Sequence, residues 1–316
     1  MIATTRNGKT TVYGRNGKLS VKNGQLVNEK GEPCMLRGIS THNLNTFPEY
    51  ATKENMQFMT DNWGMEIFRL AMYTAEADDC KGYSDGSEAH REELEALIGS
   101  CIEAAAELGI YVMVDWHILF DADPNTNKEW AIRFFHRITK KYGAYGNIIY
   151  EICNEPNLDT TWAQVKSYAE EVIPVIRTNV PDSVIVVGTP KWSQDVDLAA
   201  QDPLTYPNLL YTVHFYAATH TQWLRDKTDA AREAGLAVFV TEYGICDASG
   251  NGVIDEEETR RWTDYMKENR ISHCLWNLSN KAESSAMLAP ECKKTTGFAD
   301  EDLSPCGKWF VAYMSE

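Results

Sequence analysis

The stretch Ile148-Ile149-Tyr150-Glu151-Ile152-Cys153-Asn154-Glu155-Pro156 is an apolar β-type run that stops abruptly in an amide, a carboxylate and a proline. Its β-branched residues read as a strand covered on both faces, the pattern of a parallel sheet. Pro156 cannot donate to a ladder and ends it. Such a strand sets Asn154 and Glu155 at its carboxyl end, where parallel α/β folds keep their active sites. Whether the acid has a use depends on what other strands bring beside it.

The same pattern recurs on both sides. Met35 to Ser40 runs into Thr41-His42-Asn43, Ile67-Phe68-Arg69-Leu70 carries a lone arginine, and Ile110 to His117 ends in an imidazole. Downstream lie Val184 to Val187, Leu209 to Tyr216, Ala237 to Gly244 and Ser272 to Asn277. Helical spacing fills the gaps over Lys53 to Trp63, Leu94 to Leu108, Trp130 to Tyr142, Trp162 to Thr178, Thr221 to Ala234 and Glu256 to Asn269, several of them stopped by glycine. Eight strands alternating with helices close most economically as a single (β/α)8 TIM barrel. An open doubly wound sheet would carry a glycine-rich phosphate turn after its first strand, and Gly38-Ile39-Ser40-Thr41-His42 is not one. The alternation of Leu19 to Val27 about Asn23-Gly24 predicts a short N-terminal β-hairpin, expected to cap the bottom of the barrel. Residues 1–316 thus read as one catalytic domain, with 1–18 as an N-terminal extension.

Composition sets the boundaries. No linker or low-complexity run divides the 316 residues, and the apolar runs are far too short to span a membrane. The formal charge of -16 argues against nucleic acid or an acidic membrane as partner. Nine Trp and fifteen Tyr suit ring platforms for sugars as well as core packing. The start Met1-Ile2-Ala3-Thr4-Thr5 is no signal peptide. Of eight cysteines none shows CxxC spacing; Cys101, Cys153 and Cys274 read as buried thiols, and Cys292 and Cys306 are candidates to pair.

In a barrel the strand ends converge, so His42, Arg69, His117, Asn154, Glu155, His214, Tyr216, Glu242 and Trp276 face one pocket. Glu155 and Glu242 fall on the fourth and seventh strands, nearly opposite. Paired carboxylates suit glycoside hydrolysis, one protonating the leaving oxygen while the other attacks the anomeric carbon or activates water. A separation of about 5 to 5.5 Å means retention of configuration, and ~6.5 to 9.5 Å inversion. Arg69 and Tyr216 beside Glu242 are expected to hold it ionised, and Asn154 to bond the sugar 2-hydroxyl.

Asn154-Glu155-Pro156 with Glu242-Tyr243-Gly244, Arg69, His117, His214-Phe215-Tyr216 and Trp276 resembles glycoside hydrolase family 5 from about Leu19 to Phe310. Gly38 to His42, Trp276 to Lys281 with Glu283-Ser284-Ser285-Ala286, and Asp247-Ala248-Ser249-Gly250-Asn251-Gly252 are similar to its bacterial endoglucanase (cellulase) branch. The resemblance implies a retaining endo-β-1,4-glucanase with Glu155 as acid/base and Glu242 as nucleophile. It also implies Trp276, Lys281 and Glu283 as binders of glucosyl units on the non-reducing side, with His42 at the same rim. No catalytic cofactor is implied, and the partner is a cellulose-type β-glucan met by a monomer that is secreted or at the cell surface. Where that branch often has a Trp after the first-strand His, this chain has Asn43-Leu44-Asn45-Thr46-Phe47, so a stacking platform is either lost or supplied by Phe47.

Other readings compete. The same machinery could act on mannan, xyloglucan or mixed-linkage glucan, since loops choose the polymer. A non-catalytic carbohydrate-binding barrel would not need both glutamates. A metal-dependent barrel would show a paired His-x-His, which is missing. Residues 247–258 fit an EF-hand loop, with Asp247, Ser249, Asn251, Asp255 and Glu258 as calcium donors, although a strand rather than a helix leads in. Asp78-Asp79 and Glu256-Glu257-Glu258 read as solvated faces.

Overall fold

The structure, a computed structural model, describes Gly8 and residues 10–316. The segment Met1 to Thr5, read above for a leader, lies outside the described residues. A helix not foreseen, α1 (Val12–Asn16), precedes the hairpin of β1 (Ser20–Lys22) and β2 (Gln25–Val27). Asn23 and Gly24 both take positive φ, the turn geometry that matches hairpin twist.

Eight parallel strands follow: β3 (Arg37–Thr41), β4 (Ile67–Tyr73), β5 (Tyr111–His117), β6 (Ile148–Glu151), β7 (Val184–Val187), β8 (Leu209–Tyr216), β9 (Val238–Gly244) and β10 (His273–Leu278). Pairing of β10 with both β3 and β9 closes the barrel. Around it run α2 (Lys53–Trp63), α3 (Glu88–Leu108), α4 (Lys128–Tyr142), α5 (Trp162–Asn179), the short α6 (Pro190–Ser193) and α7 (Val196–Gln201), α8 (Gln222–Glu233), α9 (Glu256–Glu268) and α10 (Pro305–Met314). The caps are local chemistry: Thr161 and Gln164 form a capping box on α5, and Asp255 accepts the Glu258 amide at the start of α9. At Gly38 any Cβ would meet the Ile67 carbonyl oxygen at 2.1 Å, so β3 and β4 need glycine there to pair.

Alternate residues on each strand face inward, and they change character with height. At the floor Leu19 and Leu26 of the hairpin pack with Ile67, Met113, Ile149, Leu210 and Phe239, so the hairpin plugs the amino-terminal end. Two residues higher on the same strands stand Arg69, Asp115, Glu151, Thr212 and Thr241, all fully buried. Outward residues such as Phe68, Leu70, Val114 and Tyr150 pack against the helices. The lone arginine of the Ile67 to Leu70 run is therefore an inward residue between two apolar outward ones.

One strand boundary and one register shift bear on the site. β6 ends at Glu151 rather than Cys153, because only the Ile152 amide continues to β7, at 2.9 Å from Val186 O, before the chain turns over the barrel top. Opposite Thr212 to His214 of β8, β9 spends an extra residue, Phe239 pairing with Thr212 and Glu242 with His214. This bulge lets the consecutive Thr241 and Glu242 both point inward. All eight cysteines are free; Cys292 and Cys306 do not pair, and the Cys292 thiol lies 3.7 Å from Lys294 O instead.

Candidate active site

The polar layer is organised by Arg69. Its guanidinium donates to Glu151 (2.7 Å), Asn154 Oδ1 (2.6 Å), Ser40 (3.2 Å) and Glu242 (3.2 Å), and stands 3.0 Å from Asp115. Burial opposes the charge of Arg69, but Asp115, Glu151 and Glu242 outweigh it and hold the pKa well above the ordinary value. One cation cannot neutralise three buried carboxylates, so protons are retained in the layer: burial, against the pull of Arg69, pushes Asp115 up to about 7. Neither Asp115 nor Glu151 was singled out in the sequence.

Above this layer opens a cavity of about 440 Å³ at the carboxyl ends of the strands. Glu155 and Glu242 both line it, and both are more than nine-tenths buried. Glu155 Oε1 lies 2.8 Å from His214 Nδ1, and Glu242 Oε1 accepts the Tyr216 hydroxyl at 2.9 Å. Burial, reinforced by Asp115 and Glu151 against Arg69, raises Glu155 to about 8. Burial and the charge of Glu155 raise Glu242 to about 7, although His214, Arg69 and Tyr216 all pull it down. The expected ionising influence of Arg69 and Tyr216 is thus present but is exceeded by desolvation. Burial also lowers His214, to about 4, and keeps it neutral.

His117 and Asn154 support this arrangement from below. His117 Nδ1 is 2.6 Å from Asp115, and its ring stacks on Tyr73 with centroids 4.2 Å apart. Asn154 is fully buried and ties the layers together, its Nδ2 directed at His117 Nε2 (3.2 Å) and Ile118 O (3.1 Å). On one wall Trp276 lies nearly parallel to His117, and Lys281 bridges His42 Nε2 (3.2 Å), Glu283 (3.2 Å) and Asp78 (3.4 Å). Asp78 and Asp79 are exposed, as read from the sequence, and Asp78 reaches the rim through Lys281. Phe47 packs edge-on against His42 at 5.1 Å and does not line the cavity.

Sequence reading missed Tyr73, Trp192 and His220, which line the cavity. Trp192 is 38% exposed, and Lys191, Trp192 and Ser193 all have φ near +56°, a left-handed run that non-glycine residues seldom adopt. The run is pinned by the Trp192 amide on Pro156 O at 3.0 Å.

Among the described residues, one group of side chains is close enough to share an ion, Glu155, His214 and Glu242, with ligating atoms within 4.8 Å of one another. The loop 247–258 is not such a group. Glu258 is buried and paired with Arg225 (2.6 Å) and Arg261 (3.0 Å), Asp255 caps α9, and Asp247 accepts from the Ser249 amide. Of the five candidate calcium donors, Asp247, Ser249, Asn251, Asp255 and Glu258, two thus have oxygens engaged elsewhere: Asp255 in the cap of α9 and Glu258 on two arginines. Ala248, Ser249 and Gly250 instead line the cavity.

A pair of buried carboxyl groups meeting across a ring-walled barrel mouth suits the chemistry of a glycoside hydrolase. The profile of the cellulase family (glycosyl hydrolase family 5) matches residues 27–282. Endoglucanase A of Butyrivibrio fibrisolvens is 47% identical over 95% of the chain, and an endoglucanase of Clostridium saccharobutylicum 45% over 94%. The chain spans 69% and 64% of their lengths. Among solved structures, the cellulase Cel5C_n superposes with a TM-score of 0.91 at 44% identity, covering 97% of this chain and 94% of that one. A catalytic-domain variant of Thermobifida fusca endoglucanase Cel5A in complex with cellotetraose gives 0.90 at 35% identity, covering 97% and 100%. The chain belongs to glycosyl hydrolase family 5.

Proposed function

We propose that the chain is a retaining endo-β-1,4-glucanase acting on cellulose-type β-glucans. The observation that carries this is the meeting of Glu155 and Glu242, with an oxygen of each within 4.8 Å of the other. That spacing supports the ~5 to 5.5 Å geometry of a nucleophile and acid/base pair over the ~6.5 to 9.5 Å that accommodates an intervening water. Glu242 attacks the anomeric carbon as the proton of Glu155 passes to the glycosidic oxygen, which leaves with the bonding electron pair. Glu155, now a carboxylate, takes a proton from water, whose hydroxyl attacks the same carbon and frees Glu242. Asn154 meets the sugar 2-hydroxyl by giving up its longer bond to His117.

Trp276, His42, Lys281 and Glu283 bind glucosyl units on the non-reducing side. Trp192, whose backbone is tied to Pro156 next to the acid, is the platform for the leaving side. The substrate polymer lies outside cells, so the enzyme works secreted or at the cell surface. Cellotetraose bound by the Thermobifida relative supports a β-1,4-glucan chain as ligand. Initial rates on carboxymethyl cellulose, mannan, xyloglucan and mixed-linkage glucan test the choice. Carboxymethyl cellulose or mixed-linkage glucan is expected to be cleaved at least ~10-fold faster than mannan; a preference for mannan or xyloglucan reassigns the substrate, and no turnover of any makes the barrel a binding protein.

A further inference from the structure

Thr241 stands one residue before Glu242 and, through the β9 bulge, shares its inward face. Its hydroxyl has three neighbours: Glu151 Oε1 at 2.6 Å, Thr212 Oγ1 at 2.7 Å and His214 Nε2 at 2.8 Å. A threonine hydroxyl has one proton to give and two lone pairs to receive. Burial raises Glu151 against the pull of Arg69, from which it accepts at 2.7 Å; with the retained proton of the layer on Asp115, both Glu151 contacts have the short lengths of charge-assisted bonds to a carboxylate. The single proton of Thr241 therefore goes to Glu151. Thr212 donates its own hydroxyl proton to Thr241, its oxygen receiving the Thr241 amide at 3.2 Å. The remaining lone pair of Thr241 must be met by an N–H on His214 Nε2.

We propose that Thr241 is a positioning residue that locks His214 in its Nε2–H tautomer, so that the bare Nδ1 can only accept a hydrogen bond and Glu155 is made the proton carrier. Between Glu155 Oε1 and His214 Nδ1, 2.8 Å apart, the one proton available is then the carboxyl proton. When Glu155 delivers it to the leaving oxygen, its carboxylate is left facing a lone pair. That repulsion makes Glu155 a stronger base toward the water of the second step. One tautomer thus serves both halves of the reaction. Besides Glu151 and Thr241, the charged or titratable groups turned toward His214 and Glu155 are Arg69 and Tyr73 on β4, Asp115 and His117 on β5, Tyr216 and His220 from β8 and its loop, and Glu242 on β9.

This role rests on Glu155 being the acid, which turnover by Glu155→Gln tests by itself. The tautomer is read directly in the whole chain by ¹⁵N NMR of the histidine rings, with His214→Gln identifying the signal. A protonated Nε2 and an unprotonated Nδ1 at pH 6 are expected, and the reverse overturns the assignment. In Thr241→Val the ring is free to turn its proton to Nδ1, which stabilises the Glu155 carboxylate. The alkaline limb of kcat/KM should then fall by roughly one pH unit. The rate on a β-glucan should drop about 10-fold or more, while a dinitrophenyl cellobioside, whose leaving group needs no proton, is little affected. Thr241→Ser should restore both. Equal losses on the two substrates, an unmoved alkaline limb, or a serine variant no better than valine would each overturn the proposal.

Discussion

Glu242→Gln is expected to abolish hydrolysis of a soluble β-glucan, with kcat lower by on the order of 10⁴-fold or more, while the circular dichroism of the barrel is unchanged. The amide keeps the shape of the side chain and its bond from Tyr216 but cannot form the glycosyl ester. Glu155→Gln should lose polymer hydrolysis to a similar degree yet still form the intermediate from a dinitrophenyl glycoside, because no proton is then required. Near-normal turnover of the polymer by either variant sinks the assignment. The pH profile follows from the same pair. Activity rises with pH as Glu242, at about 7, loses its proton, and falls as Glu155, at about 8, loses its own. The two titrate as one coupled unit, so kcat/KM should describe a bell whose maximum lies between the limbs, and a plateau extending far above pH 9 would contradict Glu155 as the acid.

Replacing Arg69 should have the largest effect on stability. The side chain touches Ser40 of β3, Asp115 of β5, Glu151 of β6 and Glu242 of β9, so it joins four strands to its own. Arg69→Ala leaves three buried carboxyl groups without a cation, and unpaired buried charge costs about 3–5 kcal/mol. Urea unfolding should show a midpoint shifted by that amount. Arg69→Lys should rescue little, since an ammonium cannot reach four acceptors in the plane of a guanidinium. An alanine variant as stable as the parent would mean that the layer rearranges around shared protons alone.

The barrel was legible because its signals are periodic: apolar runs of strand length, amphipathic helices and glycine stops. The rim residues were legible because they end strands. Glu151 and Asp115 escaped because a carboxyl inside a strand looks the same whether it faces helices or the barrel axis, and only the parity set by Ile149 and Met113 tells them apart. Thr241 escaped for a different reason: the inward Glu242 beside it, turned in by a bulge, makes strict alternation point Thr241 outward, although parity from Phe239 sets it inward. Trp192 sits after a four-residue strand in a left-handed run that propensity disfavours. The EF-hand template counts oxygens without asking which of them arginines hold, and here Arg225 and Arg261 hold Glu258.

The eight free cysteines give this fold a reporter of its own. Six of them are buried; Cys274 lies in β10 of the barrel wall and Cys153 just past the end of β6. A thiol reagent added to the native enzyme meets mainly Cys34 and Cys80, whereas each molecule that opens surrenders the rest. The rate of their labelling therefore counts openings of the barrel one molecule at a time, with no dye or engineered probe to disturb the catalytic layer.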